Sequence, residues 1–192
     1  MFNFLTKNNY NERKLYNKIL TLSRDKLFFL QFELADTFQN RVNLIFFHTS
    51  FIFIKFKKMN KKENYDTFSQ KLFNCIFSQI ELNVRENGFG DSIVNKNMKF
   101  LVKVFYDILL NFESFKKNSI KRNNIFLHKY LELNKQYKKP ININLIDYFN
   151  KYESFCFDLS ADSILKGELN FIYKKEFNHG STKTQNIKIK KK

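Results

Sequence analysis

An all-α fold is predicted by three features of the 192-residue sequence. Glycine and proline, which hairpins and tight β-turns require, are scarce, with four glycines and one proline. Phenylalanine is abundant, and long stretches repeat apolar residues every three or four positions, the period of an amphipathic helix. We expect a single compact domain of about six or seven helices over residues 10–173, followed by a disordered basic tail over 178–192.

The N-terminal third is predicted to contain two helices separated by an aromatic segment. Leucine and isoleucine at helical spacing predict a helix over residues 11–22. The segment 26–34 is rich in phenylalanine and fits either a brief helix or an irregular packing segment. Asp36 or Thr37 can cap the next helix, which runs to about residue 59.

The apolar stretch 42–54 is the most membrane-like part of the sequence. As a helix it would reach about 20 Å, which is short of a hydrocarbon core of about 30 Å. We therefore expect a buried core helix, with His48 as a hydrogen-bonded core residue rather than a haem or metal ligand. The polar run 57–64 that follows is expected to be a solvated connection.

The central part of the chain is predicted to form two strong amphipathic helices. An apolar residue recurs every four positions from Phe68 in the first, which spans 65–86. Asn87 and Gly88 then supply a helix stop, because glycine tolerates the left-handed conformation that often ends a helix. The second helix spans about 95–116.

The C-terminal third is predicted to contain three shorter helices. A weaker pattern covers 120–134, and a proline-containing break follows at 136–140. A further helix is expected over 144–157. A serine can cap a last short helix over 160–165, which Gly167 ends.

The sequence is strongly basic, with 34 Lys and Arg against 18 Asp and Glu and a formal charge of +16. This charge favours anionic partners such as nucleic acid, the ribosome or phospholipid, but richness in Lys, Asn, Phe, Ile and Tyr is also typical of an AT-rich genome. A solvated surface and attachment to anionic lipid or ribosomal RNA both remain open. The basic clusters are Lys55, Lys57, Lys58, Lys61 and Lys62; Lys116, Lys117, Lys121 and Arg122; and Lys188, Lys190, Lys191 and Lys192.

Catalytic and metal-binding patterns are not recognisable in the sequence. Cys75 and Cys156 are far apart and outside any CxxC pattern, so we expect two small buried residues in a reducing compartment, with a disulfide as an unsupported alternative. No nucleophile, base and orienting group can be assembled, and His128 and His179 have no spaced ligand partners. We expect no enzyme activity, no catalytic residue, no cofactor and no metal. An enzyme with a helical pocket is an alternative without candidate residues.

The most informative segment is NVRENGFGD at residues 83–91, between the two strong helices. Gly88 and Gly90 predict a tight interhelical turn in which side chains would clash. Arg85 lies in the last helical turn, where a cation suits the helix dipole, and Asp91 could accept a hydrogen bond from it or from nearby amides. The run is not a dinucleotide fingerprint, because the third glycine and a preceding strand are missing.

This segment resembles the signature of the ubiquinol–cytochrome c chaperone family, in which a helix ends in N-[LV]-R-E-x-G-[VF]-G-D. A basic helix with an F-Y pair follows in that family and in this sequence. The resemblance extends more loosely over 11–171, through L-Y-x-x-I, R-x-x-L-x-x-x-H and G-x-L-x-F. The site residues that it implies, as client contacts or as the scaffold of the turn, are Asn83, Arg85, Glu86, Gly88, Phe89, Gly90, Asp91, Lys96, Lys99, Phe105 and Tyr106.

The resemblance implies a chaperone for assembly of ubiquinol–cytochrome c reductase that binds newly made cytochrome b, an apolar membrane-protein client. A helical surface would shield a client segment, and aromatic residues around Phe28, Phe29 and Phe32 are candidates for that surface. Peripheral contact with an anionic membrane or the ribosome is compatible with this role, and specific nucleic-acid binding is not expected. A basic ribosome- or RNA-binding helical module is the alternative, although no RNP, KH or zinc motif is present. Since no targeting peptide is recognisable, we expect the bacterial cytoplasm at the inner face of the membrane, with the mitochondrial matrix as the alternative.

Overall fold

The structure is a computed structural model that describes residues 10–59, 62–134 and 143–173. Within these ranges the chain is helical and contains no strand; one isolated antiparallel bridge joins Leu34 to Leu133. The predicted all-α fold is therefore confirmed. The helices are α1 Tyr10–Ser23, α2 Lys26–Leu30, α3 Phe38–Lys57, α4 Lys62–Glu86, α5 Asp91–Phe112, a short 3-10 helix Phe115–Lys117, α6 Ile120–Tyr130, α7 Ile143–Asp158 and α8 Ala161–Leu165.

Helix α3 is the centre of the fold. It contacts α1, α4, α5 and α7, and every side chain from Val42 to Ile52 is buried. Thr37 is its N-cap, where the hydroxyl accepts a hydrogen bond from the Asn40 amide at 3.1 Å. The predicted buried core helix is confirmed. No helix in the described part of the chain is both long and apolar enough to cross a membrane.

Phenylalanine rings join the helices around α3. Phe51 and Phe47 lie 4.5 Å and 5.0 Å from Phe112 of α5, measured between ring centroids, and both pairs meet edge to face. Phe47 also lies 5.3 Å from Phe149 of α7. Edge-to-face pairs are worth about 1 kcal/mol each beyond the burial of their area. The high phenylalanine content is therefore largely a property of the core.

The aromatic segment 26–34 forms the short helix α2 and a turn. Asp25 caps the helix by accepting a hydrogen bond from the Leu27 amide at 2.8 Å. Phe28 and Phe32 are buried and lie 5.0 Å and 6.0 Å from the Tyr148 ring of α7. For Phe28 and Phe32 the hypothesis of a client-binding surface is therefore wrong, because both rings pack against α7. Phe29 is only partly buried.

Four helix ends differ from the predictions by several residues, and one of them is the end of α5, which lies at Phe112 and not near residue 116. Helix α4 begins at Lys62, within the segment expected to be a solvated connection, and α5 begins at Asp91, because Gly90 is its N-cap. Helix α6 ends at Tyr130. The chain beyond it is extended, because the buried Asn40 amide group binds the Glu132 backbone at 2.8 Å and 2.9 Å and holds it beside the turn before α3.

Lys55 belongs to the core and not to a surface basic cluster. Its side chain is buried, and its ammonium group donates hydrogen bonds to the carbonyl oxygens of Phe157 and Leu159 at the end of α7. Burial lowers the pKa of this lysine. The prediction that Lys55 belongs to a surface basic cluster is therefore wrong, because the end of α7 covers this residue.

The C-terminal part of the fold follows the prediction. Ser160 caps α8 by accepting a hydrogen bond from the Ser163 amide at 3.1 Å, and Gly167 ends it with a φ of +70°. A Cβ at Gly167 would lie 2.7 Å from the Asn11 carbonyl oxygen, so α1 packs directly on this glycine. The predicted break at 136–140 and the predicted tail at 178–192 lie outside the described residues.

Candidate functional site

The turn between α4 and α5 is built on two glycines with different roles. Gly88 follows the end of α4 with a φ of +80°, and its amide donates to the Arg85 carbonyl oxygen at 2.9 Å. Gly90 has an extended conformation with a φ of −68°. A Cβ on either glycine would meet no atom within 4 Å. The prediction that side chains would clash in this turn is therefore wrong; Gly88 is required for its left-handed backbone and not for space.

Arg85 braces the turn from one side to the other. Its Nε lies 2.9 Å from a carboxylate oxygen of Glu81, one helical turn earlier, and its Nη1 lies 2.5 Å from a carboxylate oxygen of Asp91. The hydrogen bonds to Asp91 and Glu81 raise the pKa of the guanidinium group. The predicted contact between Arg85 and Asp91 is confirmed, and it ties the end of α4 to the start of α5.

The remaining predicted site residues fall on different surfaces. Asn83 is exposed and donates to the Gln79 carbonyl oxygen at 2.7 Å. Phe105 is buried, with its ring 5.3 Å from that of Phe46, so it belongs to the core. Tyr106 is exposed on the other side of α5. Glu86, Lys96 and Lys99 are also exposed. The predicted residues therefore do not form one surface, and Phe105 supports α5 from inside.

Two clefts lie side by side along α5 and share Gln39 and Phe100 in their walls. The first has a volume of about 510 Å³ and lies between the start of α3, the end of α4 and the start of α5. We call it the α5 groove. Its lining residues are Phe38, Gln39, Val84, Asn87, Phe89, Asn97, Phe100 and Leu101.

Three aromatic side chains that line the α5 groove are about half exposed to solvent. Phe38 is 45% exposed, Phe89 48% and Phe100 58%. A group of half-exposed phenylalanines on one surface is unfavourable in water and is typical of a site that another apolar molecule covers. Phe89 was predicted from the motif. Phe38 and Phe100 were not, although Phe100 lies off the buried stripe of its helix.

The second cleft is larger, at about 690 Å³, and several of its lining residues are charged. Asp107 accepts hydrogen bonds there from the Lys129 ammonium and the Tyr130 hydroxyl. These two bonds, first that from Lys129, lower the pKa of the Asp107 carboxyl group. Lys103 also lines this cleft. The combined surface is thus apolar near the turn and charged near the end of α6.

The two cysteines are free thiols. Cys156 is buried, and burial raises its pKa to about 12, which leaves a neutral thiol at ordinary pH. Cys75 is only partly buried. Within residues 10–59, 62–134 and 143–173, no group of three or more His, Cys, Asp or Glu side chains could hold a metal ion.

Replacement of Arg85 by alanine tests whether this residue braces the turn or contacts a client. Because its guanidinium group already binds Glu81 and Asp91, we expect a small loss of stability and a loss of client capture in proportion. Thermal melting and a pull-down on the same preparation measure both quantities. Asp91→Asn is the matched control, since it weakens the same bridge. A loss of capture in Arg85→Ala at an unchanged melting temperature would instead show direct contact.

Comparison with known proteins assigns the chain to a family. A model of the ubiquinol-cytochrome C chaperone family matches residues 30–171, which include the braced turn and the α5 groove. The crystal structure of the Cbp3 homolog from Brucella abortus has the same fold, with a TM-score of 0.73 and 20% sequence identity over 86% of this chain and 91% of that chain. A comparison with the curated proteins finds no match. Because the family model covers well over half of the sequence, the chain belongs to the ubiquinol–cytochrome c chaperone family.

Proposed function

We propose that this chain assists assembly of ubiquinol–cytochrome c reductase by binding newly made cytochrome b in the α5 groove. Membership of the chaperone family supports the assembly role. The observation that carries the choice of site is the cluster of half-exposed Phe38, Phe89 and Phe100 beside the family motif. An apolar segment of a membrane protein that has not yet found its partners is the kind of ligand that would cover it.

The groove suits an apolar helix or an extended apolar segment. Its lining combines the three phenylalanine rings with the buried Val84 and Leu101 and with the side-chain amides of Gln39, Asn87 and Asn97. Those amides can bind backbone groups that a partly folded client leaves unpaired. This combination matches helix-in-groove recognition, in which the apolar face of a helix enters a hydrophobic groove.

The available apolar area fits a reversible holding role. Each of the three phenylalanines has roughly 100 Å² left to bury, which gives about 7 kcal/mol in all before association costs. Loss of translational and rotational freedom removes at least about 4 kcal/mol of that gain. A client held this way can be released when subunits join, and the proposal requires no catalytic residue or cofactor.

The proposed client also implies where the chain acts. Cytochrome b spans the membrane several times, so the chaperone would meet it at the membrane surface. In a bacterium this is the inner face of the cytoplasmic membrane, and in a mitochondrion it is the matrix side of the inner membrane.

Deletion of the gene tests the function. We expect assembled ubiquinol–cytochrome c reductase to fall, because unprotected cytochrome b is degraded before its partners join. Native gel electrophoresis with spectroscopic measurement of b-type haem reports the complex, and an unrelated respiratory complex in the same membranes is the control. Re-expression of the chain should restore the level. A normal amount of assembled reductase in the deletion strain would contradict the proposal.

A further inference from the structure

The outer face of α6 presents an isoleucine surrounded by basic residues. Ile125 is 64% exposed. Lys121 and Arg122 precede it by four and three positions, and His128 and Lys129 follow it by three and four. On a helix, residues at these spacings are surface neighbours. The opposite face of the helix is in the core and contributes Asn123, Phe126, Leu127 and Tyr130.

A second apolar residue lies at the start of the same helix. Ile120 is 57% exposed and follows Lys116 and Lys117 of the short 3-10 helix. Between residues 114 and 131 the sequence contains five Lys or Arg and no Asp or Glu. The two exposed isoleucines therefore stand among basic side chains of the same segment.

Much of this positive charge has no ion-pair partner among the residues that the structure describes. Lys129 forms an ion pair with Asp107, and Lys116 donates to the Ser154 hydroxyl at 3.0 Å. Lys117, Lys121 and Arg122 form no ion pair with any carboxylate that the structure describes. These three cations are available to an anionic partner.

We propose that this α6 basic face, formed by Lys117, Ile120, Lys121, Arg122 and Ile125, docks on a membrane surface that contains anionic phospholipid. Each cation near such a surface contributes about 1 kcal/mol. The isoleucines reach the boundary between headgroups and acyl chains, as the apolar residues of interfacial helices do.

The isoleucines favour lipid over RNA as the partner. RNA would satisfy the cations and could stack on Arg122, but surfaces that bind single-stranded RNA typically stack successive bases on exposed aromatic side chains. The exposed large apolar residues of α6 are Ile120 and Ile125, and neither is aromatic. The inference does not rest on the identity of the client, since lipid binding can be measured with this chain alone.

Sedimentation with liposomes tests the proposal on the full chain. We expect binding to vesicles of phosphatidylcholine with roughly 30% phosphatidylglycerol and little binding to phosphatidylcholine alone. Lys121→Glu with Arg122→Glu should reduce partitioning at least about tenfold. The matched control, Arg13→Glu in α1 with Arg24→Glu just after that helix, makes the same charge change at exposed positions and should keep most of the binding.

A second pair of variants tests the apolar part of the face. Ile120→Ser with Ile125→Ser keeps every charge and should still lower partitioning several-fold, since both side chains are exposed and the fold does not depend on them. Equal liposome binding by the charge pair and wild type would overturn the proposal. A second result would also overturn it. In that result the Ile120→Ser, Ile125→Ser variant binds liposomes like wild type, wild type binds RNA at physiological salt, and the Lys121→Glu, Arg122→Glu variant does not bind RNA. Ordinary non-specific RNA binding is expected to disappear near that salt concentration.

Discussion

Phe100→Asp is expected to abolish capture of cytochrome b while the fold stays intact. The ring stands in the shared wall of the two clefts and is 58% exposed, so its removal affects the surface far more than the core. A carboxylate in its place would have to be desolvated by an apolar client, which opposes binding. We expect at least about a tenfold loss of captured cytochrome b in a pull-down, which corresponds to roughly 1.4 kcal/mol.

Ile172→Asp is the matched control for this variant. Ile172 is 77% exposed and lines a different cleft, beside Tyr148 and Phe171. The two variants make the same change from an exposed apolar side chain to a carboxylate, and thermal melting should show both to be folded. Equal loss of capture by both variants would mean that general surface hydrophobicity, and not the α5 groove, holds the client.

Acidification is expected to destabilise the protein through His48. This residue is fully buried in α3, and its Nδ1 donates to the Leu44 carbonyl oxygen at 2.7 Å. Its Nε2 lies 2.8 Å from the Tyr148 hydroxyl, which donates to it in the neutral form of the ring. The prediction of a hydrogen-bonded core histidine is confirmed. Burial lowers the pKa of His48 from 6.5 to about 4.

The direction of the pH effect follows from this lowered pKa. Between pH 6.5 and about 4 the unfolded chain binds a proton at His48 and the folded chain does not, so the free energy of unfolding falls as the pH falls. The full effect is about 3 kcal/mol, and it is absent above pH 6.5. Denaturant unfolding at a series of pH values measures it.

His48→Gln separates this effect from the titration of carboxylates. A glutamine amide can donate to Leu44 and accept from Tyr148, but it does not ionise. Asp36 and Asp107 have a lowered pKa, so their contributions are lost below this window. The variant should have a flatter profile between pH 6.5 and 4. A profile as steep as that of wild type would show that His48 does not control it.

The fold could be predicted because helix periodicity is a local property. The apolar stripe from Phe68 to Ile80 can be recognised from the local sequence alone. The same holds for the helix cap at Ser160 and the helix stop at Gly167. The position of Lys55 could not be predicted, because its burial depends on where the end of α7 lies in three dimensions. Charge alone therefore overstated the basic surface around it.

The site could be predicted only in part for a similar reason. The motif identified the turn and Phe89, and Arg85 binds Asp91 as expected. The α5 groove needs Phe38 and Phe100, which are far apart in the sequence and meet only when α3 packs beside α5. Phe105 was grouped with the site because of the family pattern, although its place on the buried stripe of α5 indicates the core.

Photo-crosslinking from position 100 tests directly whether cytochrome b binds in the α5 groove. A photoreactive amino acid at this position, introduced in cells that are synthesising cytochrome b, would report what lies in the α5 groove during assembly. The same amino acid at position 172 is the control. We expect an adduct with cytochrome b from position 100 that disappears as the reductase completes assembly, and none from position 172. Absence of a cytochrome b adduct from position 100, in cells where the variant still supports assembly, would contradict it.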